Sequence, residues 1–191
     1  MAVMIRDVDI RSELSSRACR HRDYESEHRS MAALAQEMAV NPRNMLQKLA
    51  ETALELCSAE TAGVSLLETE EGQELFRWES LAGMCAKFRN NTMPRAASPC
   101  GLCIDENATQ LMYLPDRLFP ALLAEPRFVE ALLIPFHVQE KPLGALWVVS
   151  HTEGRTFDGE NERILRMLAQ FASAAWHAIA KLESIVQNDI G

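Results

Sequence analysis

Residues 135–179 read PFHVQEKPLGALWVVSHTEGRTFDGENERILRMLAQFASAAWHAI, and this stretch decides the fold. The apolar runs LLIPFHV and PLGALWVVS have the length and composition of β-strands, and a polar turn separates them. Pro135 predicts an edge position or a bulge, because proline donates no hydrogen bond to a neighbouring strand. Asp158 is a good N-cap for the helix that follows, and acidic residues suit the positive end of its dipole.

That helix carries two apolar stripes, of which one is enough to cover a sheet. The second stripe predicts packing against another helix, and we expect this contact to form a homodimer. The expected interface also includes an earlier helix, and its residues are Leu34, Met38, Ile164, Leu168, Phe171, Ala175 and Leu182.

The sequence patterns divide the chain into three segments. Residues 1–24 are polar and without clear period, which predicts a flexible N-terminal arm. A helical pattern over residues 25–41 predicts a signalling or dimerisation helix that ends near Val40, because Pro42 disfavours helical backbone before it. Residues 42–187 form the main domain, which opens with a strongly amphipathic helix.

Strands are predicted at 62–68 and 74–81, with a hairpin turn containing Gly72 between them. Residues 82–130 are rich in proline and irregular, with one short strand at 110–114. The order of helices, two strands, an irregular region, further strands and a final helix predicts an antiparallel α+β domain.

The length, net charge and cysteine content of the chain disfavour several classes of function. A chain of 191 residues is one domain with room for an extra helix. The net charge of −8 disfavours nucleic acid and anionic membrane surfaces, which both attract clustered basic residues. The opening residues hold no signal peptide or membrane span, so we expect a cytoplasmic protein with its five cysteines reduced.

Residues 133–180, with Pro-Leu-Gly at 142–144 and the Phe157–Glu160 segment before the long helix, resemble the second half of a GAF domain. The segment LQKLAETALELCSAETAGVSLLE resembles its first half, and the likeness covers roughly residues 40–182. The Ser-Pro-Cys-Gly segment at 98–101 and the Phe-Arg-Trp segment at 76–78 are similar to a subgroup found as input domains of bacterial sensor histidine kinases.

The resemblance implies an antiparallel sheet of five or six strands with the terminal helices on one face. It implies a small-molecule pocket on the other face, walled by residues 84–128, and dimers that relay a signal to a partner such as a histidine kinase. The candidate pocket residues are Phe76, Trp78, Arg95, Ser98, Cys100, Gly101, Cys103, Asp105, Phe128 and Trp147.

Cys100 and Cys103 form a Cys-Gly-Leu-Cys unit with three competing interpretations. A redox pair needs the motif between a strand and a helix N-terminus, and no strand is evident before it. A zinc site needs four ligands, and the chain has no second such motif. Free cysteines typically behave as small apolar side chains, and we favour two thiols in the pocket wall.

Cofactors are not expected. GAF domains that attach a bilin usually place a histidine directly after the cysteine, whereas Gly101 and Ile104 stand there. His137 and His151 could serve as axial haem ligands, but a histidine in a strand is more often simply hydrogen-bonded. Cyclic-nucleotide GAF domains carry an Asn-Lys pair where this chain has Val-Ser-His at 149–151. We therefore expect no bilin, haem or metal.

An enzymatic alternative stays open. Free methionine sulfoxide reductases are stand-alone GAF domains of similar length that use cysteines in the same irregular region. Cys85, Cys100 and Cys103 could supply the nucleophile and the resolving pair through a sulfenic acid. The Gly-Val-Cys-Gly and Ala-Cys-Asp segments typical of that family do not occur here, so we favour a non-enzymatic sensor.

Overall fold

The computed structural model describes residues 3–122, 125–138 and 141–188, and the side chains of these residues up to His177. Six antiparallel strands form one sheet: β1 (Thr61–Glu70), β2 (Gln73–Gly83), β3 (Thr92–Pro94), β4 (Gln110–Tyr113), β5 (Glu130–Val138) and β6 (Lys141–Ser150). Their spatial order is β3-β2-β1-β6-β5-β4. The predicted antiparallel α+β class is confirmed.

Four α-helices accompany the sheet: α1 (Tyr24–Val40), α2 (Met45–Leu56), α3 (Pro99–Asp105) and α4 (Gly159–Asn188). α2 and α4 pack on one face, and α1 packs on α2. α1 ends where Pro42 predicts, and a short 3-10 helix (Pro42–Asn44) leads into α2. In the described part of the chain, no helix is both long and apolar enough to span a membrane.

The structure confirms two local predictions, one for a hairpin turn and one for a proline in a strand. Glu71 and Gly72, between β1 and β2, have φ angles of 50° and 81°, as a two-residue hairpin turn requires. Pro135 in β5 pairs with β6, whereas the pairing of β5 with β4 ends at Leu133. At Pro135, β5 therefore has a neighbouring strand on one side only, as an edge strand does. A bulge follows at Phe136.

The N-terminal arm corrects a prediction, because residues 4–20 pack against the domain. Val8 is fully buried, and its carbonyl accepts a hydrogen bond from Tyr113 in β4. Arg17 donates to both carboxylate oxygens of Glu130 at 2.8 and 2.9 Å, and to the Phe157 carbonyl. The predicted flexible arm is wrong, because its arginines neutralise carboxylates that the rest of the chain buries.

The expected dimer surface is largely internal. Four of its seven residues are at most 4% exposed within a single chain: Leu34, Ile164, Leu168 and Ala175. They fill the core between the helices and the sheet and are not available to a second copy. Met38 and Phe171 are only partly buried, and the side chain of Leu182 lies outside the described residues.

The region predicted to be irregular contains a helix. α3 begins at Pro99, with Ser98 as N-cap, and it carries both Cys100 and Cys103. The signal was present, because serine followed by proline is a common helix start. α3 packs on the face of the sheet opposite the other helices, beside β5 and β6.

Candidate functional site

The candidate site lies on the face of the sheet that α3 covers. Along β6, Trp147 and Val149 belong to the core on this face, while Leu146 and Val148 belong to the core under α2 and α4. This alternation is the normal consequence of strand geometry. Successive residues of β6 therefore face alternately towards the site and towards the helices.

A bulge in β2 adjusts which side chains reach the site. Ser65 of β1 pairs with Trp78 and Val64 pairs with Ser80, so Glu79 is the extra residue. Because of this insertion, Trp78 and Leu81 both enter the site-side core although they are three positions apart, a spacing that would place them on opposite faces of a regular strand. Bulges commonly re-aim side chains in this way next to functional sites.

A cavity of about 20 Å³ lies between the sheet, α3 and the segment after β4. It has room for about one water molecule. Five of the ten predicted pocket residues line it: Trp78, Ser98, Cys100, Phe128 and Trp147. The cavity is nearly filled by its own side chains, and its role as a ligand pocket stays a prediction.

Three aromatic rings line the cavity. The Trp78 and Trp147 rings stand edge to face with centroids 5.8 Å apart, and Phe128 is tilted 41° against Trp147 at 6.1 Å. Gly63 gives Trp147 its position, because a Cβ there would lie 2.4 Å from the indole ring. The indole Nε1 donates to Ser65 Oγ at 2.8 Å, so this buried polar atom is satisfied.

The polar edge of the cavity is small. Ser98 Oγ accepts hydrogen bonds from the amides of Cys100 and Gly101 at 3.0 and 3.3 Å, which caps α3. Burial raises the pKa of the Cys100 thiol to about 11. The thiol is therefore protonated at neutral pH and adds no charge to the cavity.

Six lining residues were not predicted: Met93, Pro99, Leu122, Ala131, Leu133 and Val149. Three of them could have been found, because Val149 follows Trp147 at a spacing of two on β6, and Ala131 and Leu133 occupy alternate positions on β5. Met93 and Leu122 come from short or irregular segments in which no period identifies the inward face.

Five predicted residues lie outside the cavity. Phe76 is fully buried in the neighbouring core, and Cys103 Sγ contacts the Ala108 carbonyl at 3.5 Å. Arg95 and Asp105 pair with each other at the surface, where Arg95 also binds Glu74. A Cβ on Gly101, the fifth residue, would lie 2.0 Å from the Arg95 carbonyl oxygen, so glycine permits the close approach of α3.

A cysteine–histidine contact lies just behind the cavity wall. Cys85 Sγ is 3.8 Å from His151 Nε2, and the same nitrogen is 2.8 Å from Thr61 Oγ1. His151 Nδ1 lies 2.9 Å from the Arg127 carbonyl oxygen, which fixes this nitrogen as the protonated one. The sequence did not suggest this contact, because the two residues are 66 positions apart.

The three cysteines considered for catalysis share one property. Cys85, Cys100 and Cys103 are all buried, and burial raises the pKa of each thiol. A reactive cysteine needs the opposite, a lowered pKa and access to solvent. Within the residues that the structure describes, no three histidine, cysteine or acidic side chains converge as metal ligands.

Comparison with known families identifies the family of the chain. The model of the GAF domain family matches residues 39–179, which is most of the chain. No curated protein matches the sequence.

Solved structures resemble the chain in fold. The GAF-B domain of DevS from Mycobacterium smegmatis is 20% identical with a TM-score of 0.61, over 76% of this chain and 99% of that one. The phycoerythrobilin-bound GAF domain of a cyanobacterial phytochrome is 8% identical with a TM-score of 0.69, over 85% and 100%. The free methionine-R-sulfoxide reductase of Neisseria meningitidis is 14% identical with a TM-score of 0.66, over 86% and 97%. At these identities the likeness is one of fold alone.

Proposed function

Because the chain belongs to the GAF domain family, we propose that it is a cytoplasmic sensory domain. A small molecule binds in the cavity under α3, and the helices on the opposite face relay the bound state. The receiver is a signalling partner such as a histidine kinase.

One observation carries this proposal: a single strand borders both the cavity and the helix layer. On β6, Trp147 and Val149 line the cavity, and Val148 between them is fully buried against the helices. Densely packed interiors transmit displacement, because few voids can absorb it. A ligand that moves Trp147 or Val149 therefore shifts the packing of Val148 under α2 and α4.

The relay proposal includes a homodimer through α1 and α4. Its contact surface is smaller than the one expected from the sequence. Met38 on α1 and Phe171 on α4 keep exposed surface and remain the interface residues. Leu34, Ile164, Leu168 and Ala175 take the role of connecting that surface to the sheet, since they fill the core beneath it.

Reduction of free methionine sulfoxide is the second candidate function. The Cys85–His151 contact favours it, because an adjacent base can activate a thiol. The distance of 3.8 Å is long for such a pair, and burial raises the pKa of Cys85. These two features make the sensor the better-supported proposal.

The sensor proposal is tested by native mass spectrometry of the full chain after gentle purification. We expect a non-covalently held small molecule that leaves on denaturation. Val149→Ile adds one methylene inside the cavity and should abolish retention, whereas Val148→Ile adds it on the helix side and should not. A chain that retains nothing, but turns over methionine sulfoxide with thioredoxin, would replace the sensor with the enzyme.

A further inference from the structure

The cavity also limits what kind of molecule it can hold, an inference that rests on the proposed function. Among the described residues, none that lines the cavity carries a formal charge. Its polar side-chain atoms come from Ser98, Cys100 and the indole nitrogens of Trp78 and Trp147, and the Cys100 thiol stays protonated at neutral pH. A charged ligand would lose its hydration without gaining a partner of opposite charge, which is strongly unfavourable.

The remaining hydrogen-bonding capacity is small. Ser98 Oγ already accepts from two backbone amides, so its hydroxyl proton is what it can still offer. The Trp147 N–H is taken up by Ser65. A ligand could therefore form one or two hydrogen bonds at the α3 end of the cavity, and its other contacts would be apolar.

The shape of the wall favours a ring. Trp78, Trp147 and Phe128 meet at angles of 60° and 41°, so they present both ring faces and ring edges towards the cavity. Aromatic ligands gain from such offset and edge-to-face contacts beyond the burial of their surface. We infer that the ligand of this domain is a small, uncharged, mainly apolar molecule that carries an aromatic or comparable planar ring.

Entry of such a ring requires a local movement. A cavity that admits benzene measures roughly 150 Å³, whereas this cavity measures about 20 Å³. Backbone hydrogen bonds hold the strands of the sheet to each other and hold α3 in its helical form. Leu122 and Phe128 instead come from the connection between β4 and β5. An exposed ion pair between Arg127 and Asp116 helps to hold that connection, and exposed pairs contribute little stability. Displacement of Leu122 and Phe128 would open the cavity without breaking the strand pairing of the sheet or the helical hydrogen bonds of α3.

Side-chain signals of tryptophan in ¹⁵N NMR spectra provide the test on the full chain. The probes are indole and indole-3-carboxylate, which share the ring and differ in charge. We expect indole to shift the Trp78 and Trp147 signals and to leave Trp176 on α4 unchanged. Indole-3-carboxylate should bind at least ten times more weakly at the same site.

Three variants sharpen the result. Leu133→Ala enlarges the cavity and should strengthen indole binding, Val149→Ile should weaken it, and Val148→Ile should leave it unchanged. Equal or tighter binding of the carboxylate in the cavity would overturn the ligand class while leaving the sensor proposal intact. Failure of indole to shift Trp78 or Trp147, even in Leu133→Ala, would also overturn the class. If native mass spectrometry still detected a retained molecule, the sensor proposal would stand and only the proposed ligand class would fail.

Discussion

Trp147 of β6 donates its indole hydrogen to Ser65 of β1 at 2.8 Å, beneath the aromatic cavity. Both side chains are buried, and the bond joins the two central strands on the site face. It holds one of the two indole rings of the cavity wall in one orientation. The cavity therefore depends on a polar contact inside an otherwise apolar core.

Removing the Ser65 hydroxyl tests that contact. Ser65→Ala leaves the buried indole N–H without its acceptor, which should cost about 1–3 kcal/mol of unfolding free energy. Urea unfolding measures the loss. In a Trp147→Phe background the same substitution should cost much less, and equal costs in both backgrounds would show that the bond does not matter.

The arm should contribute to stability through Arg17. Its partner Glu130 is 2% exposed, so Arg17→Met leaves a buried carboxylate without its cation and should cost roughly 3–5 kcal/mol. Arg127→Met, at the exposed pair with Asp116, is the matched control and should cost at most about 1 kcal/mol. Thermal unfolding compares the two. Equal small losses would mean that the arm is dispensable after all.

Buried thiols should make stability fall in alkaline solution. A free thiol titrates near about 8.5, whereas burial raises the pKa of Cys100 to about 11. Between these values the unfolded chain releases the proton first, so the contribution present below about pH 8.5 is lost as pH rises. One thiol contributes a slope of up to about 1.4 kcal/mol per pH unit.

Urea unfolding from pH 7 to 10 checks this slope. Cys100→Ala should make it less steep, and the remaining slope comes from the other buried thiols. Alkylation at neutral pH should modify Cys19 quickly and Cys100 slowly. A Cys100 thiol that reacts as fast as Cys19 would favour a catalytic thiol over a wall residue.

The proposed dimer is tested by light scattering at micromolar concentration. We expect twice the chain mass of 21.4 kDa. Phe171→Glu should lower this mass because it places a charge in the contact, and Gln170→Glu on the exposed side of α4 should not. A monomer mass for the unmodified chain would remove the dimer. Loss of the sheet in circular dichroism of Phe171→Glu would instead assign Phe171 to the core.

Local patterns in the sequence predicted the elements that depend on near neighbours. Strand alternation and the turn at Gly72 predicted β1, β2, β5 and β6, and Asp158 predicted the start of α4. Trp147, a candidate pocket residue, lies on one of these strands. These features need only a few adjacent residues, which is why sequence reasoning reached them.

Contacts between distant segments were out of reach. Arg17 and Glu130 are 113 residues apart, and no local pattern marks them as partners. The two stripes on α4 predicted an extra helix neighbour, but the neighbours that bury Ile164 and Leu168 come from the same chain. Periodicity shows that a face is apolar and not which surface covers it.

A crystal structure of the chain grown with indole shows whether the cavity under α3 is the sensing site. We expect the ring against Trp147, between Trp78 and α3, with Leu122 and Phe128 displaced and the Trp147–Ser65 hydrogen bond kept. Indole bound on the helix face, or a cavity still closed while indole binds elsewhere, would contradict the claim that this cavity is the site through which the domain senses its ligand.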